Sequence, residues 1–342
     1  MMCLKDNQLQ HPALSSPFAI EGMSFRNRVV LAPMSGVTDL PFRQLAWRYG
    51  AGLVVTEMVA SRELACSAGE SWARLKNAGI TPHMVQLAGR EAHWMAEAAK
   101  IAAGNGADVI DINMGCPAKK VTGGYSGSAL MRDPDHALSL IEATVRAVDI
   151  PVTLKMRLGW DETTMNAPDI ARRAEAAGIR MVTIHGRTRM QFYKGHADWD
   201  AIRAVRNAMS LPLVANGDVT TPEDAAEILR RSGADAVMAG RACQGRPWHA
   251  GVLAGACAEP DGQARLDVIA EHYGMMLAFY GIETGLRHAR KHLGWYIERF
   301  AANAPGHRKA FVLTATDHKT ALSGLLELLR DGETAVERTM AA

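Results

Sequence analysis

The sequence predicts an α/β fold, a (β/α)8 TIM barrel, followed by a small all-helical domain. Eight short β-branched runs alternate with Ala-rich amphipathic segments, which indicates a parallel sheet. The alternating stretch covers 28–258, close to the ~250 residues typical of this barrel. Beyond it the helical period continues without a strand signal. We therefore expect an N-terminal lead-in over 1–27, a barrel over 28–258 and a helical domain over 259–342.

The strand candidates follow one another at the spacing of successive strand–helix units. Helix starts between them carry cap chemistry, as in Asp-Pro at 133–134 and Thr-Pro-Glu at 221–223. An open doubly wound sheet is the alternative, but the first strand runs into Pro-Met-Ser-Gly at 33–36, which is not a G-x-G-x-x-G fingerprint. We predict strands over 28–33, 52–57, 83–87, 108–113, 151–157, 181–185, 212–216 and 235–239.

The composition excludes several classes of protein. With 342 residues, 48% apolar and 22% charged, the chain is not disordered throughout. Its 38 Lys and Arg against 36 Asp and Glu leave a net charge of +2, which gives no overall reason to expect a nucleic-acid partner. No apolar run reaches membrane-spanning length, and the five cysteines lack C-x-x-C spacing. We expect a cytoplasmic protein with reduced thiols, no membrane partner and no metal.

Each predicted strand ends in a polar or conformationally special residue, and in barrel enzymes these ends meet at one rim. The loops after strands seven and eight of such barrels often bind phosphate. Their glycines let peptide N–H groups approach a phosphate, which Arg241 can also pair with; the alternative is that both glycines only make tight turns. In chain order the ends carry Pro33, Met34 and Ser35; Glu57; Gln86; Asn113 and Cys116; Lys155 and Arg157; His185 and Arg187; Asn216, Gly217 and Asp218; Gly240 and Arg241.

Lys155 stands in an otherwise apolar strand, and a buried lysine needs a partner. Three roles are open: a Schiff-base nucleophile, a structural ion pair, or a cation beside an electron-rich cofactor ring. His185 and Gln86 offer further hydrogen-bonding groups, and the three together suit the N1–C2=O side of a reduced flavin. Taken alone, His185 is explained equally well as a histidine satisfied within the core.

Cys116 follows the fourth strand directly, within Asn-Met-Gly-Cys-Pro at 113–117. A free thiol is mostly protonated near neutrality, so it can act as a proton donor. It can also act as a nucleophile if the nearby Lys119 and Lys120 favour the thiolate. An inert buried thiol is the third interpretation. That third interpretation is adopted for Cys66, Cys243 and Cys257.

The predicted helical domain has an uneven charge distribution. Between 281 and 310, six Lys and Arg residues stand against two Glu residues. Arg287, Arg290 and Lys291 fall at i, i+3 and i+4, which puts them on one face of a helix. An interaction surface and a solvated helix face both fit this pattern.

These blocks together resemble the bacterial tRNA-dihydrouridine synthases, most closely the B-type branch. The resemblance runs from about Phe18 to the C-terminal helices. The block around Cys116 is highly specific, whereas Asn-Gly-Asp and Gly-Arg occur in other flavin barrels. Cys243 departs from the family pattern, which often has a small apolar residue there. The matching blocks are Ala-Pro-Met-Ser-Gly-Val-Thr-Asp (32–39), Asp-Ile-Asn-Met-Gly-Cys-Pro-Ala-Lys-Lys-Val (111–121), His-Gly-Arg-Thr-Arg (185–189), Ala-Asn-Gly-Asp (215–218), Gly-Arg-Ala-Cys-Gln-Gly-Arg-Pro-Trp (240–248) and Arg-Lys-His-Leu-Gly-Trp-Tyr (290–296).

The resemblance implies FMN in the barrel mouth, NADPH or NADH as reductant, and reduction of the C5=C6 bond of a uridine in tRNA. It makes Cys116 the proton donor. Asn113 and Arg187 become candidates to hold the base, and Arg287, Arg290 and Lys291 candidates to bind tRNA phosphates. The implied FMN contacts are Pro33, Met34, Ser35, Gln86, Lys155, His185, Asn216, Gly217, Asp218, Gly240 and Arg241.

Two other functions fit part of this pattern. A flavin barrel acting on a small pyrimidine, as dihydroorotate dehydrogenases do, would share the phosphate site and the lysine but would not need a basic helical domain. An RNA-binding protein that kept the fold without the chemistry would have no physical reason to keep Cys116 and Lys155.

Overall fold

A computed structural model describes residues 12–66, 69–77 and 79–340, with side chains from Leu14 to Gly332. The first part of the predicted lead-in, 1–11, lies outside these residues. All eight predicted strands are present within them, the second of them in two pieces. The strands are β1 (Phe18–Ile20), β2 (Met23–Phe25), β3 (Val29–Leu31), β4 (Leu53–Val54), β5 (Val59–Ala60), β6 (Met84–Ala88), β7 (Val109–Met114), β8 (Val152–Arg157), β9 (Val182–His185), β10 (Leu213–Asn216) and β11 (Ala236–Ala239).

The parallel strands close into a barrel, as the sequence predicts. From β4 the sheet runs through β3, β11, β10, β9, β8, β7 and β6 to β5. Because β4 and β5 are pieces of one strand, and Val55 between them bridges Met84 of β6, the two ends of the sheet meet. The strand is interrupted where the hydroxyl of Thr56 accepts the N–H of Gln86 at 3.0 Å in place of a main-chain carbonyl.

Helices alternate with the strands, and several start where the sequence places a cap. Asp133 accepts the N–H of His136 at 3.1 Å, and Thr221 forms a capping box with Asp224. Short 3-10 helices cover Gly127–Arg132 and Arg241–Cys243. The α-helices are α1 (Pro12–Ser15), α2 (Leu40–Arg48), α3 (Ser61–Cys66), α4 (Glu70–Leu75), α5 (Ala92–Gly104), α6 (Lys119–Thr122), α7 (Pro134–Ala147), α8 (Ala167–Ala176), α9 (Trp199–Ala208), α10 (Pro222–Ser232), α11 (His249–Leu253), α12 (Gly262–Tyr280), α13 (Ile282–Phe300), α14 (Gly306–Thr314) and α15 (His318–Met340).

The hairpin of β1 and β2 closes the N-terminal end of the barrel. Its Phe18, Ile20 and Phe25 are buried in one apolar cluster with the first residues of several strands, among them Val30 and Val109. The sequence analysis gives the lead-in no role, but this part of it forms the barrel floor. The sequence indicates only part of it, because residues 23–25 alternate apolar and polar in the period of a strand, whereas three apolar residues at 18–20 and Glu-Gly at 21–22 do not.

The last four helices form the helical region that the sequence predicts after the barrel. They pack around a core that includes Tyr273, Leu293 and Leu325. Trp248 and Leu45, which precede the region in the chain, belong to the same core, so the helices pack directly against the barrel. Within the described part of the chain, no helix combines the length and apolar character needed to cross a membrane.

Candidate active site

A cavity of about 640 Å³ opens at the C-terminal ends of the barrel strands. Its walls contain Gln86 from the middle of β6, Met58 from between β4 and β5, and residues at or just beyond the ends of the other barrel strands, so the predicted convergence at one rim is observed. The predicted site residues that line it are Pro33, Met34, Ser35, Gln86, Asn113, Cys116, Lys155, His185, Asn216, Gly217, Asp218, Gly240 and Arg241.

A chain of buried hydrogen bonds joins the neighbouring strands β8, β7 and β6 to the segment that carries Cys116. Asp111 accepts from Thr153 Oγ1 at 2.6 Å and from Gln86 Nε2 at 2.6 Å. Gln86 Oε1 in turn accepts from Asn113 Nδ2 at 2.8 Å. Asn113 Oδ1 then accepts the main-chain N–H of Cys116 at 3.0 Å. The amide of Asn113 is therefore fixed at both ends, and it holds the start of the cysteine loop.

Two further contacts fix that loop. Arg157, which is 1% exposed, donates from Nε to the carbonyl of Gly115 at 2.8 Å. Ser128 Oγ donates to the carbonyl of Cys116 at 2.9 Å. The half-buried thiol of Cys116 therefore lies in the cavity wall on a backbone held on both sides.

Lys155 is a buried cation in the cavity wall, as is Arg157. Its Nζ donates one hydrogen bond among the described residues, to Asn216 Oδ1 at 3.4 Å, while Asn216 Nδ2 donates to the carbonyl of Met238 at 2.8 Å. Burial, together with the nearby positive charge of Arg157, lowers the pKa of Lys155 to about 8. An ammonium group has three donors, so most of its hydrogen-bonding capacity is directed to the cavity.

His185 lies beside this cation and is neutral. Burial lowers its pKa well below that of an exposed histidine, and the charges of Arg157 and Lys155 lower it further. Its Nε2 lies 3.3 Å from Arg187 Nη1, which makes this nitrogen the acceptor and leaves the ring N–H on Nδ1.

Arg187 differs in position from what we expected of a residue that holds the substrate. It is 1% exposed and does not line the cavity. Its guanidinium donates to Asp218 Oδ2 at 2.5 Å and to the carbonyl of Gly195 at 2.7 Å. The sequence pattern put Arg187 at the rim correctly, but its donors are used within the protein, so it orients Asp218 rather than a ligand.

Asp218 connects the loops after β10 and β11. Burial alone would raise its pKa, but hydrogen bonds from Arg187 and the N–H of Ala197, with the charge of Arg241, lower it overall. Arg241 Nη2 donates to Asp218 Oδ1 at 3.0 Å. Gly217 directly precedes Asp218 in the loop after β10 and has φ +128°. A Cβ there would lie 2.6 Å from the Cβ of Ala197, so only glycine fits.

The three predicted phosphate-binding residues of α13 have different surroundings. Arg287 is exposed and donates to Thr284 Oγ1 at 3.2 Å. Arg290 is half-buried and donates to the carbonyl of Ala315 at 3.3 Å. Lys291 is half-buried as well, and its Nζ would lie 2.8 Å from a Cβ placed on Gly36 at the barrel rim. The predicted common face therefore divides into a solvated residue, a packed residue and one that reaches the barrel.

Sequence reasoning overlooked several residues around this site. Asp111 shares a strand face with Asn113 at a spacing of two, and that periodicity could have found it. Gln244 and Arg299 also line the cavity, although Arg299 comes from α13 and no local pattern connects it to the barrel.

The other cysteines lie apart from the cavity. Of the described cysteines, Cys66 is exposed, Cys257 half-buried and Cys243 buried, and none of these three lines the cavity. Burial raises the pKa of Cys243 to about 12 and that of Cys257 to about 11. Among the residues that the structure describes, no three His, Cys, Asp or Glu side chains come together as a metal site.

Comparison with known families and curated proteins supports the resemblance seen in the motifs. The family model described as dihydrouridine synthase (Dus) matches residues 30–331. The chain belongs to the dihydrouridine synthase family. It is 74% identical over 310 residues to a probable tRNA-dihydrouridine synthase of Rhizobium leguminosarum bv. phaseoli, covering 91% of this chain and 98% of that one. It is 46% identical over 293 residues to tRNA-dihydrouridine synthase B of Pseudomonas aeruginosa, covering 83% and 86%.

Solved structures share the fold of this family member at much lower sequence identity. A crystal structure of TcOYE with pHBA matches with a TM-score of 0.55 and 15% identity, covering 74% of this chain and 96% of that one. Histamine dehydrogenase from Rhizobium sp. 4-9 matches with a TM-score of 0.55 and 15% identity, covering 78% and 51%. These matches confirm the barrel fold.

Proposed function

We propose that the protein is a flavin-dependent tRNA-dihydrouridine synthase that reduces the C5=C6 bond of a uridine in tRNA, with FMN as cofactor and NADPH or NADH as reductant. The observation that carries this proposal is the pairing of a half-buried thiol, Cys116, with a buried ammonium, Lys155, in one cavity. Buried arginines such as Arg187 spend their donors on the protein, whereas the Nζ of Lys155 has one long hydrogen bond among the described residues, and a barrel that only bound RNA would have no use for a buried ammonium with so few partners.

The side chains around the cavity fit FMN by their chemistry. Lys155 has donors to spare for the electron-rich edge of the ring, and the neutral His185 and the amide of Gln86 can complete the hydrogen bonds there. In the loops after β10 and β11, Gly217 and Arg241 line the cavity and supply a main-chain N–H and a guanidinium for the phosphate. Pro33, Met34, Ser35, Asn216, Asp218 and Gly240 would form the remaining contacts.

When bound, FMN supplies to uracil C6 a hydride that comes from NADPH or NADH. Cys116 holds the proton that C5 needs, and it delivers this proton as a general acid. Asn113 accepts a hydrogen bond from the main chain of the cysteine loop, and Arg157 and Ser128 donate hydrogen bonds to it, so the backbone that carries the thiol is held at a fixed place in the wall. Asn113 also lies in the cavity wall, where its amide can contact the base.

The uracil must leave its stacked position to enter the cavity, because neither face of a stacked base is accessible. The exposed Arg287 and the half-buried Lys291 of α13 lie on the helical region beside the barrel mouth, where they would bind tRNA phosphates. In this proposal the barrel supplies the chemistry and the helical region supplies affinity for the polyanion.

The test is the variant Cys116→Ala, compared with Cys66→Ala as a matched control, because Cys66 is exposed and lies outside the cavity. We expect Cys116→Ala to retain yellow, NADPH-reducible flavin and to lose dihydrouridine formation by about 10²–10⁴-fold. Cys66→Ala should behave as wild type. Dihydrouridine is measured in tRNA from a strain that lacks the enzyme, with free uridine as a second substrate.

Full turnover by Cys116→Ala would remove the proton-donor assignment. Reduction of free pyrimidines in preference to tRNA would refute the tRNA assignment itself, and a colourless protein that binds no flavin would refute the cofactor.

A further inference from the structure

Helix α13 lies along one side of the cavity mouth. Near its middle, Lys291 reaches Gly36, which follows the first barrel strand. One turn later, the carbonyl oxygen of Trp295 would lie 2.8 Å from a Cβ placed on Gly245. One turn further, Arg299 Nη2 is 3.5 Å from the carbonyl of Ala242. Residues 291, 295 and 299 thus form one row, four residues apart, that spans the rim between the first and last barrel strands.

A second pocket of about 350 Å³ lies where this row meets the loop after β11. Arg241, Gln244, Trp295, Glu298 and Arg299 line it. Arg241, Gln244 and Arg299 also line the main cavity, so the two spaces adjoin. We call the second space the side pocket.

We propose that the side pocket binds the RNA nucleotide next to the reduced uridine. This assignment rests on the proposed function, because it requires that a uridine enters the main cavity. Trp295 is half-buried, with its ring edge-to-face with that of His292 and packed against the barrel core. The part of Trp295 that lines the side pocket offers a surface on which a neighbouring base can stack. Arg299 can pair with the phosphate that joins the two nucleotides.

The polar side chains of the side pocket complete this chemistry. Gln244 has both a donor and an acceptor for a base edge, and Glu298 can accept from a ribose hydroxyl or an exocyclic amine. Such groups distinguish a nucleotide from a bare phosphate, which would need only the guanidinium of Arg299.

An RNA strand explains more of this surface than the adenosine end of NADPH does. The row continues from the side pocket to Lys291, and Arg287 lies one further turn away with its side chain exposed. Cations at four-residue intervals along a helix are spaced by about 6 Å, so they suit a chain of phosphates that extends away from the cavity. If the side pocket held the adenosine end of NADPH instead, Lys291 and Arg287 would have no phosphate to bind.

The experiment measures dihydrouridine formation as a function of tRNA concentration for wild type, Trp295→Ala, Trp295→Phe and Arg299→Ala. Arg230→Ala is the control, because Arg230 is an exposed arginine on α10 that lines neither space. Flavin content and the KM for NADPH are measured on the same preparations.

We expect Trp295→Ala and Arg299→Ala each to raise the KM for tRNA by about tenfold with kcat close to wild type. Trp295→Phe should recover most of the affinity, since it keeps a stacking surface, and Arg230→Ala should match wild type. An unchanged KM for tRNA in both alanine variants would overturn the assignment. So would a raised KM for NADPH or a loss of FMN with tRNA affinity intact. If wild type itself forms no dihydrouridine, the proposed function fails first, and that result is distinct from a failure confined to these variants.

Discussion

The floor and the rim of the barrel are built from the same strands and have opposite chemistry. At the floor, Val109 of β7 and Val214 of β10 belong to the apolar cluster that the N-terminal hairpin closes. Two to four residues further along those strands, Asn113 and Asn216 line the cavity. Two strand residues span about 7 Å, so only a short distance along each strand separates the apolar cluster at the floor from the cavity at the rim.

This difference shows how the barrel separates stability from catalysis. The floor excludes water and its apolar burial stabilises the fold, whereas the rim holds the partly buried charge and thiol that binding and proton transfer require. Between them lies Asp111, whose pKa is raised by burial and which hydrogen-bonds upward to Gln86 of the rim.

The floor should carry the largest effect on stability. Phe25 is 1% exposed and its ring centroid lies 4.7 Å from that of Phe18, so Phe25→Ala should lower the free energy of unfolding by about 3–5 kcal/mol. Its kcat per folded molecule should stay close to wild type. Urea denaturation checks the first value, with the exposed Ser24→Ala on the same hairpin as control. A large loss of kcat in folded Phe25→Ala would contradict the separation of the two ends.

At the rim we expect the reverse, a large loss of activity with no loss of stability. Lys155→Met keeps the length of the side chain and removes a buried charge, so we expect dihydrouridine formation to fall by about 10²–10³-fold. The free energy of unfolding should stay equal or rise, because burying the ammonium is costly. Lys100→Met, on the outer surface of α5, is the control. Normal turnover of Lys155→Met would exclude Lys155 from the chemistry.

A pH titration of the flavin-free protein isolates the contribution of the buried lysine at the rim. Burial lowers the pKa of Lys155 from 10.5 to about 8 in the protein without flavin. Between pH 8 and 10.5 the unfolded chain therefore binds more protons at this group than the folded chain, so the contribution of Lys155 to the free energy of unfolding rises with pH. Urea denaturation of flavin-free wild type and flavin-free Lys155→Met across this window should show this rise in wild type only, because methionine does not titrate. The same pH dependence in both proteins would contradict the lowered pKa.

The smallest effect is expected beyond the rim, on the helical region. Arg287 is exposed, so Arg287→Ala should weaken tRNA binding severalfold and reduce the slope of log affinity against log salt by about 1. Filter binding over a range of salt concentrations measures both values. Arg172→Ala, an exposed arginine on α8, is the control. An unchanged slope would mean that Arg287 is a solvated surface residue that does not bind tRNA phosphates.

Local sequence patterns were enough to predict the strands and many of the residues that line the cavity. All eight strands could be predicted because each is a short, largely apolar run between helical segments, as expected of parallel strands that are buried on both faces. The ends of those strands then identified Cys116, Lys155 and Asn216 as neighbours before any coordinates, since parallel strands in a barrel end at one rim.

Local patterns could not predict the role of a residue whose partners are distant in the chain. Arg187 has the position of a rim residue, but its donors turn to Asp218 and Gly195. Arg290 matches Arg287 in type and shares its predicted face, yet it donates a hydrogen bond to the carbonyl of Ala315 between α14 and α15. A guanidinium can reach in many directions, so its partner is set by the elements that surround it.

The amino-acid sequence by itself determined the order of strands and helices, the family, and the set of polar residues that reach the barrel mouth, because these depend on local periodicity and short motifs. The tertiary structure decided that the lead-in hairpin closes the floor, that Arg187 holds Asp218, and that α13 borders the cavity with Trp295 and Arg299. Those outcomes depend on which surfaces pack together over long separations in the chain, and hydrophobic burial, which drives that packing, is not directional and leaves no local mark on the sequence.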